Sequence, residues 1–287
     1  MKRKLRILSL LVFSTTVLSS CYLDLGFIQI GEKPAEQEGS EEKGSEEQKE
    51  GNYLIIPQEQ IDAYYASVGS ETGNELLSKL NSIIDTSDVS VSYDWSRYSY
   101  AYEDPFNSDK VLLVYARKSM FKSKTNSGGN TGWNKEHTYP KSKMDNEQAK
   151  SDNHIIFASD CIVNKARSNY QLGYITGGSI VKDSLGKETT CRVDSSKFDP
   201  CNEARGVVAR ATMYAAAMYG FSPTVNIESL ETMLKWHLDY PVTKFDQSRN
   251  NKVHNRQKNR NPFVDHPEYA CKIWGTANAK TRQVCGL

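Results

Sequence analysis

Apolar positions along the chain recur in several patterns, and each predicts an element. Leu76, Leu77, Leu80, Ile83 and Ile84 fall on one face at helical spacing, which predicts an amphipathic helix over Asn74 to Ile84. Lys110 to Tyr115 is a short, nearly continuous run of β-formers and predicts a strand buried on both faces. Ile155 to Ala158 reads as another short strand, with Ser159 or Asp160 placed to cap a helix behind it. Leu172 to Thr176 and Ser179 to Lys182, joined by Gly177 and Gly178, read as a β-hairpin. A long helix is expected from Asn202 as N-cap, with Ala204, Val207, Val208, Ala211, Ala215 and Met218 as its apolar stripe and Gly220 as its stop. Helices and strands mix without a strand–helix–strand rhythm and no internal repeat is visible, so the predicted class is α+β.

Two stretches near the start have patterns of a different kind. Ile7 to Leu18 is apolar and follows Lys2, Arg3, Lys4 and Arg6, but it is shorter than the roughly 20 residues a helix needs to span a bilayer. That arrangement is an export signal. It ends Leu18-Ser19-Ser20-Cys21, which resembles a bacterial lipobox, so residues 1–20 are expected to be removed and Cys21 lipidated, with a membrane as partner. Glu32 to Glu50 is Glu, Gln, Gly, Ser and Lys with almost nothing apolar, and is expected to be a disordered, extended tether. Three segments follow: 1–20 a lipoprotein-type signal, 21–51 the lipidated N-terminus and acidic tether, and 52–287 a folded domain. The protein is expected outside the cytoplasm, anchored and facing the extracellular space or periplasm.

Composition narrows this only a little. At 287 residues and 38% hydrophobic, the chain can bury one enzyme-sized core. The net charge of +1 points to no partner by itself. Locally, Lys244, Arg249, Lys252, Arg256, Lys258 and Arg260 face only Asp246, a basic run that could sit on phosphates or be a solvated helix face. Once Cys21 is set aside as lipidated, Cys191 with Cys201 and Cys271 with Cys285 are near enough in sequence to staple short loops by disulfides, with the connectivity open. Cys161 is left over and reads as a small buried hydrophobe.

The candidate chemistry lies in one short stretch. Gly132-Trp133-Asn134-Lys135-Glu136-His137 puts a carboxylate beside an imidazole, and Pro140 keeps a helix from running through. Ser151-Asp152-Asn153-His154 precedes the predicted strand, and the helix after it carries Asn164 and Arg167, three residues apart and on one face. Phosphodiester hydrolysis needs a base for water, a cation for the developing charge and a donor for the phosphate, and imidazole, carboxylate, amide and guanidinium supply that set. An amide among the ligands favours a hard cation, so Mg²⁺ is expected, with Mn²⁺ or Ca²⁺ as substitutes.

The strings Trp133-Asn134-Lys135-Glu136-His137, Asp152-Asn153-His154 and Val163-Asn164-Lys165-Ala166-Arg167-Ser168-Asn169 resemble the bacterial endonuclease I family of extracellular and periplasmic nucleases. The likeness continues through Ala204 to Ala211, Lys235-Trp236-His237 and Asn259 to Glu268, nearly everything after the tether. It implies a ββα-metal (His-Me finger) unit within the α+β fold, cutting DNA and RNA with little sequence preference, in what is expected to be a monomer. His137 would be the general base, Glu136 and Asn164 the metal ligands, Arg167 a catalytic partner, and Asp152 and His154 supports of the motif. Lys252, Arg256, Lys258 and Arg260 are the candidate nucleic-acid contacts.

Two positions depart from the family pattern. No arginine lies between His137 and His154 to bind phosphate, so Lys141, Lys143, Lys150 or Arg167 would substitute, and Val207 stands where an acidic residue is expected after Gly206. Of the other histidines, His237 is expected to line the core, His254 could touch phosphate, and His266 looks like part of a turn. Tyr93, Trp95, Tyr98 and Tyr100 could stack on bases, or simply pack. No helix carries the paired histidines of a zinc protease. The rival from another class is a surface lipoprotein with a degenerate nuclease fold that binds nucleic acid or a host partner. Such a binder has no need of a base beside metal ligands.

Overall fold

A computed structural model describes residues 50–85, 99–126 and 128–287. The expected export signal, Cys21, the tether up to residue 49 and the aromatic residues Tyr93, Trp95 and Tyr98 lie outside the described residues.

The centre of the core is a helix, α4 (Asn202–Tyr219), introduced after three shorter ones: α1 (Gln58–Tyr64), α2 (Gly73–Ile84) and α3 (Cys161–Arg167). Fourteen of the residues of α4 are buried, Ala215, Ala216 and Ala217 among them, so it is enclosed nearly all round. Its small side chains let neighbours approach closely: a Cβ on Gly206 would meet the Tyr240 carbonyl oxygen at 2.2 Å. Gly220 closes the helix in the left-handed conformation at φ 69°, as expected. The other end differs from expectation. Cys201 is the N-cap and gives no side-chain cap, while Asn202 is already helical. Pro200 keeps the residue before it extended, so the chain turns into the helix one position earlier than the Asn signal suggests.

Helix α2 packs on α4 as the amphipathic pattern predicts, with Leu76, Leu80 and Ile84 fully buried and Leu77 and Ile83 partly so. After α4 come α5 (Pro223–Asn226), α6 (Leu230–Asp239), α7 (Lys244–Gln257), α8 (Pro262–Asp265), α9 (Tyr269–Trp274) and α10 (Ala279–Cys285). Helices α9 and α10 are joined by the Cys271–Cys285 disulfide. The second expected disulfide is not formed: Cys191 and Cys201 are buried free thiols, and Cys191 Sγ donates to the Tyr115 carbonyl at 3.5 Å. None of the helices among the described residues is long and apolar enough to cross a membrane.

Three small antiparallel or mixed sheets complete the α+β fold, and the described residues from 50 onward make one compact unit. The first is β1 (Glu103–Asp104), β2 (Asn107–Leu112) and β3 (Ser119–Phe121). The predicted strand at 110–115 is thus shifted toward the N-terminus and exposes Ser108 and Asp109, while Leu113, Val114 and Tyr115 run on into the core. The second sheet is the pair β4 (Trp133–His137) and β5 (Ile156–Asp160), in register from Trp133 opposite Asp160 to His137 opposite Ile156. The third holds β6 (Gln171–Leu172), β7 (Ser179–Lys182), β8 (Glu188–Val193) and β9 (Lys197–Asp199), in the order β6-β9-β8-β7. The hairpin expected at Gly177-Gly178 is therefore not formed; β6 pairs in parallel with β9, and β7 turns back on β8. The turn is made instead by Asp183 to Gly186, where the Asp183 carboxylate accepts from the Leu185 and Lys187 amides at 2.8 and 3.1 Å and Gly186 adopts φ 74°. Gly178 serves a close approach, since a Cβ there would lie 2.6 Å from the Val193 carbonyl oxygen.

Candidate active site

Strands β4 and β5 and helix α3 form a ββα unit. The turn from β5 into α3 is set by Asp160, whose side chain accepts from the amides of Ile162 and Val163 at 3.0 and 3.3 Å, so the chain can start a helix at once. The long connection from β4 to β5 is pinned at its neck, where both the amide and the hydroxyl of Thr138 donate to the Ile155 carbonyl.

That frame places Glu136 and His137 on β4 and Asn164 on α3, with the Asn164 side chain bonded to β4. Asn164 donates from Nδ2 to Asn134 Oδ1 at 2.8 Å and to the Lys135 carbonyl at 3.2 Å, which commits its nitrogen to β4 and leaves its amide oxygen as the remaining ligand. Glu136, 4% exposed, receives the Tyr115 hydroxyl on Oε1 at 2.8 Å, and the same oxygen lies 3.2 Å from Arg167 Nε in an ion-pair contact rather than an aligned hydrogen bond. Burial pushes the Glu136 carboxyl up to about 7, against the opposing pull of Arg167 and the Tyr115 hydroxyl.

His137 places Nε2 2.9 Å from the Lys150 carbonyl oxygen. A carbonyl only accepts, so the neutral ring carries its proton on Nε2 and its lone pair on Nδ1. Burial holds the His137 imidazole down at about 4; the carbonyl of Lys150 opposes that, and the positive charges of Lys141, Lys135 and Arg167 add to it. The ring is therefore a neutral base throughout the neutral pH range.

One carboxylate and one amide are few ligands. Among the described residues no cluster of three or more His, Cys, Asp or Glu side chains could cage an ion. A site of two protein oxygens suits a cation that keeps most of its waters or takes phosphate oxygens, which is the habit of Mg²⁺. The Glu136 and Asn164 oxygens fit such an ion on the chemistry of the donors and on the way their other atoms are already committed.

Asp152 and His154 lie behind this site. Asp152 is fully buried and receives the hydroxyls of Tyr214 and Tyr219, each at 2.7 Å, the Gln257 amide at 2.9 Å and the His154 backbone N–H at 2.7 Å. Asn153 is held from both sides: its amide donates to Gln257 Oε1, and its carbonyl accepts from Arg249 and from the Tyr102 hydroxyl. His154 packs its ring against Tyr214 at 4.5 Å between centroids and contacts the Asn259 carbonyl at 3.3 Å through Nε2. It is fully buried, and burial lowers its imidazole to about 4. Both residues brace the β4–β5 connection, and neither reaches the face where Asn164 sits.

The remaining expectations divide. Arg167 is fully buried, with Nη2 donating to the Thr138 carbonyl at 2.9 Å and to Asn226 Oδ1 at 3.0 Å, so its expected phosphate contact is corrected: it holds Glu136 and the strand from inside. Lys150 pairs with Glu147, and Lys143 donates to the Val225 carbonyl at 3.3 Å. In the basic run, Lys252 and Arg260 are likewise corrected as phosphate contacts. Lys252 is paired with Glu103 at 3.0 Å, and Arg260 grips Asp265 with Nε and Nη2, both at 2.7 Å. Arg256 and Lys258 remain exposed, Arg256 lying 4.8 Å over the Tyr100 ring. His237 lines the core as expected, its Nε2 against the Pro267 carbonyl at 2.9 Å. Half-buried His254 packs edge-on against Tyr64. Cys161 is a buried free thiol at the start of α3, in keeping with its reading as a small hydrophobe.

Tyr115, Asn134, Asn226 and Tyr214 escaped the sequence reading. Only Asn134, two residues before Glu136 and so on the same side of its strand, carried a usable signal.

The family model for Endonuclease I matches residues 72–268. Two curated relatives align along most of their lengths. An extracellular ribonuclease of Bacillus amyloliquefaciens is 32% identical over 242 residues, covering 77% of this chain and 81% of that protein. An extracellular ribonuclease of Bacillus subtilis is 32% identical over 241 residues, covering 76% and 80%.

Proposed function

Because the chain belongs to the endonuclease I family of nucleases, we propose that it is an exported, metal-dependent endonuclease that hydrolyses RNA and DNA with little sequence preference and is tethered to a membrane through a lipidated Cys21. The observation that carries the chemistry is the pairing of a neutral imidazole with two oriented oxygen ligands. Asn164 is locked by Asn134 and Lys135, the two residues before Glu136, with its oxygen to spare. RNA comes first among the substrates because both relatives are named as ribonucleases. The same names support export.

In this reading His137 takes a proton from water at Nδ1 while its Nε2–H stays on the Lys150 carbonyl, which fixes the ring's tautomer and plane. Glu136 and Asn164 would hold one Mg²⁺, or Mn²⁺ or Ca²⁺ in its place, and that ion supplies positive charge to the phosphorane and the departing oxygen. Arg167 and the Tyr115 hydroxyl fix the Glu136 carboxylate from behind. Lys135 and Lys141, whose charges already bear on His137, add to the positive field that draws the phosphate in.

The test is cleavage of a structured RNA and a plasmid by the purified protein, with EDTA and after return of each divalent ion. Activity should vanish with EDTA and return with Mg²⁺ or Mn²⁺; undiminished cutting in excess chelator overturns the metal assignment. Cys21→Ser should move the protein from the membrane fraction to the soluble one without altering turnover.

A further inference from the structure

A cleft of about 500 Å³ opens beside the start of β4, on the part of the molecule that none of the catalytic reasoning uses. Its walls carry two large apolar side chains that face water, Phe121 at 50% and Leu185 at 69% exposure. Lysines stand around them. Lys110 lies directly across the β2–β3 pair from Phe121, with its ammonium 4.9 Å from the ring centroid, and Lys124 follows on an exposed 3₁₀ turn. Asn126 and Ser184 add polar groups at the rim.

Both walls are tied to the catalytic unit. On one side the Trp133 indole donates to the Phe121 carbonyl at 3.2 Å and the Asn126 amide to the Trp133 carbonyl at 2.7 Å, which fastens the Phe121–Asn126 segment to β4. Gly132 makes that approach possible: it adopts φ 90°, and a Cβ there would lie 2.0 Å from the Lys124 carbonyl oxygen. On the other side, Ser184 donates its hydroxyl to Asp160 Oδ2 at 2.6 Å and its amide to Oδ1 at 2.9 Å. Asp160 is the N-cap of α3, the helix that carries Asn164. The cleft is thus held in register with the proposed site. Along β4, Trp133 lies one residue from Asn134 and three from Glu136, or about 3 and 10 Å at the usual strand rise of roughly 3.3 Å per residue.

An apolar slot rimmed by ammonium groups matches an unpaired nucleotide, which offers a flat π-face and a phosphate at once. A paired base is stacked on its neighbours and cannot enter a slot of this kind. On the nuclease reading above, we infer that the cleft between Phe121 and Leu185 is a subsite for one unpaired nucleotide of the substrate strand, flanking the reacting phosphate. Phe121 stacks on the base, and Lys110 and Lys124 take the backbone charge.

The experiment is fluorescence anisotropy of labelled single-stranded RNA, single-stranded DNA and a duplex of the same sequence, in EDTA so that nothing is cut. Phe121→Ala should weaken single-strand binding about 5- to 100-fold, the range for losing one stacked base, whereas Phe121→Trp should keep it and duplex binding should not change. Lys124→Ala, on a fully solvated turn, should lower the salt slope for single strands by about 0.7. A single-strand Kd for Phe121→Ala within twofold of the parent, or an equal loss on duplex, overturns the subsite, as does a parent protein that binds no strand at all. Loss of RNA but not DNA binding, or the reverse, assigns the sugar. A parent protein that binds strands through Phe121 but cuts none with any divalent ion would leave the subsite standing and strike the nuclease reading instead.

Discussion

The unit from Trp133 to Arg167 and the helix α7 are both dense in polar side chains, and they use them in opposite ways. In the first, Asn164 spends its nitrogen on β4 and keeps its oxygen, and His137 is fixed through Nε2 on the Lys150 carbonyl. In α7, the inward-facing polar groups bond mostly within the chain, while Arg256 stays exposed. Arg249 gives its Nη2 to the Asn153 and Ile156 carbonyls and to the Tyr102 hydroxyl, Asn250 exchanges bonds with Asn261, and Lys252 meets Glu103. A run of charges is a binding surface only where the charges lack partners of their own. A polar cluster whose groups are bonded mainly within the chain works as a scaffold.

The sharpest way to break this contrast is at the base. His137→Ala should cut single-turnover cleavage with Mg²⁺ by about 10²- to 10⁴-fold while leaving substrate affinity nearly unchanged, as loss of a general base does. His154→Ala should instead act through the fold, lowering Tm along with activity. If His154→Ala abolishes cleavage at unchanged Tm while His137→Ala turns over normally, the two histidines must exchange roles.

Next in size is Arg167→Ala, which strands Glu136, the Thr138 carbonyl and Asn226 in the core. Removing one partner of a buried pair costs about 3–5 kcal/mol, so Tm should fall by roughly 10 °C or more, on the order of 2–4 °C per kcal/mol at this chain length. A phosphate-binding role would show up differently, as a raised KM at unchanged Tm.

Stability should also fall in acid. His137, His154 and His237 are each lowered to about 4 by burial, so between about 6.5 and 4 the unfolded chain binds protons that the folded chain refuses. Each contributes a loss of about 1.4 kcal/mol per pH unit as pH drops through that window. Glu136, raised to about 7, works the other way by binding a proton in the folded state first, and offsets one of the three. Urea midpoints between pH 7 and pH 5 should therefore decline, and His237→Gln should flatten the decline; a midpoint independent of pH would contradict the buried neutral histidines.

The smallest effect separates the two faces of α7. Arg256→Ala with Lys258→Ala should leave Tm unchanged and lower the salt slope of nucleic-acid binding by about 1 to 2. Lys252→Ala should do the reverse, lowering Tm and leaving the slope alone. Equal slopes for all three would make the exposed face a plain solvated surface.

The ββα unit was legible in the sequence because its pattern is local. Glu136 and His137 are adjacent, Asp160 caps the helix of Asn164, and strand and helix periods are short-range patterns. What braces it was not legible, since Tyr214, Gln257 and Asn259 are ordinary residues 45 to 105 positions away from their partners. The misreadings have physical causes of the same kind. Gly177-Gly178 looks like a turn, but its freedom serves the close approach of Gly178 to Val193, and the turn is built by Asp183 a few residues on. In α7 only Phe245, Val253 and the alkyl stems of its cations are apolar, so no hydrophobic period marks which face points inward. The inward face is polar and is recognised only by its partners. The shared opening of Phe121 and Leu185 onto one cleft is equally invisible, because Phe121 and Leu185 are 64 residues apart and their segments meet through Asp160 and through the pairing of Lys118 with Asp183.

The distance between the cutting unit and its braces also sets the order in which the enzyme can come into being. The ββα unit is complete once Arg167 has been made, yet Asp152 waits for Tyr214 and Tyr219, Asn153 for Arg249 and Gln257, and His154 for Asn259. Contacts of such long sequence separation form late, after their loop-closure entropy has been met. A ribosome or an export channel delivers the chain from its N-terminus, so the ββα unit is made well before the frame that braces it, whose last member named above is Asn259.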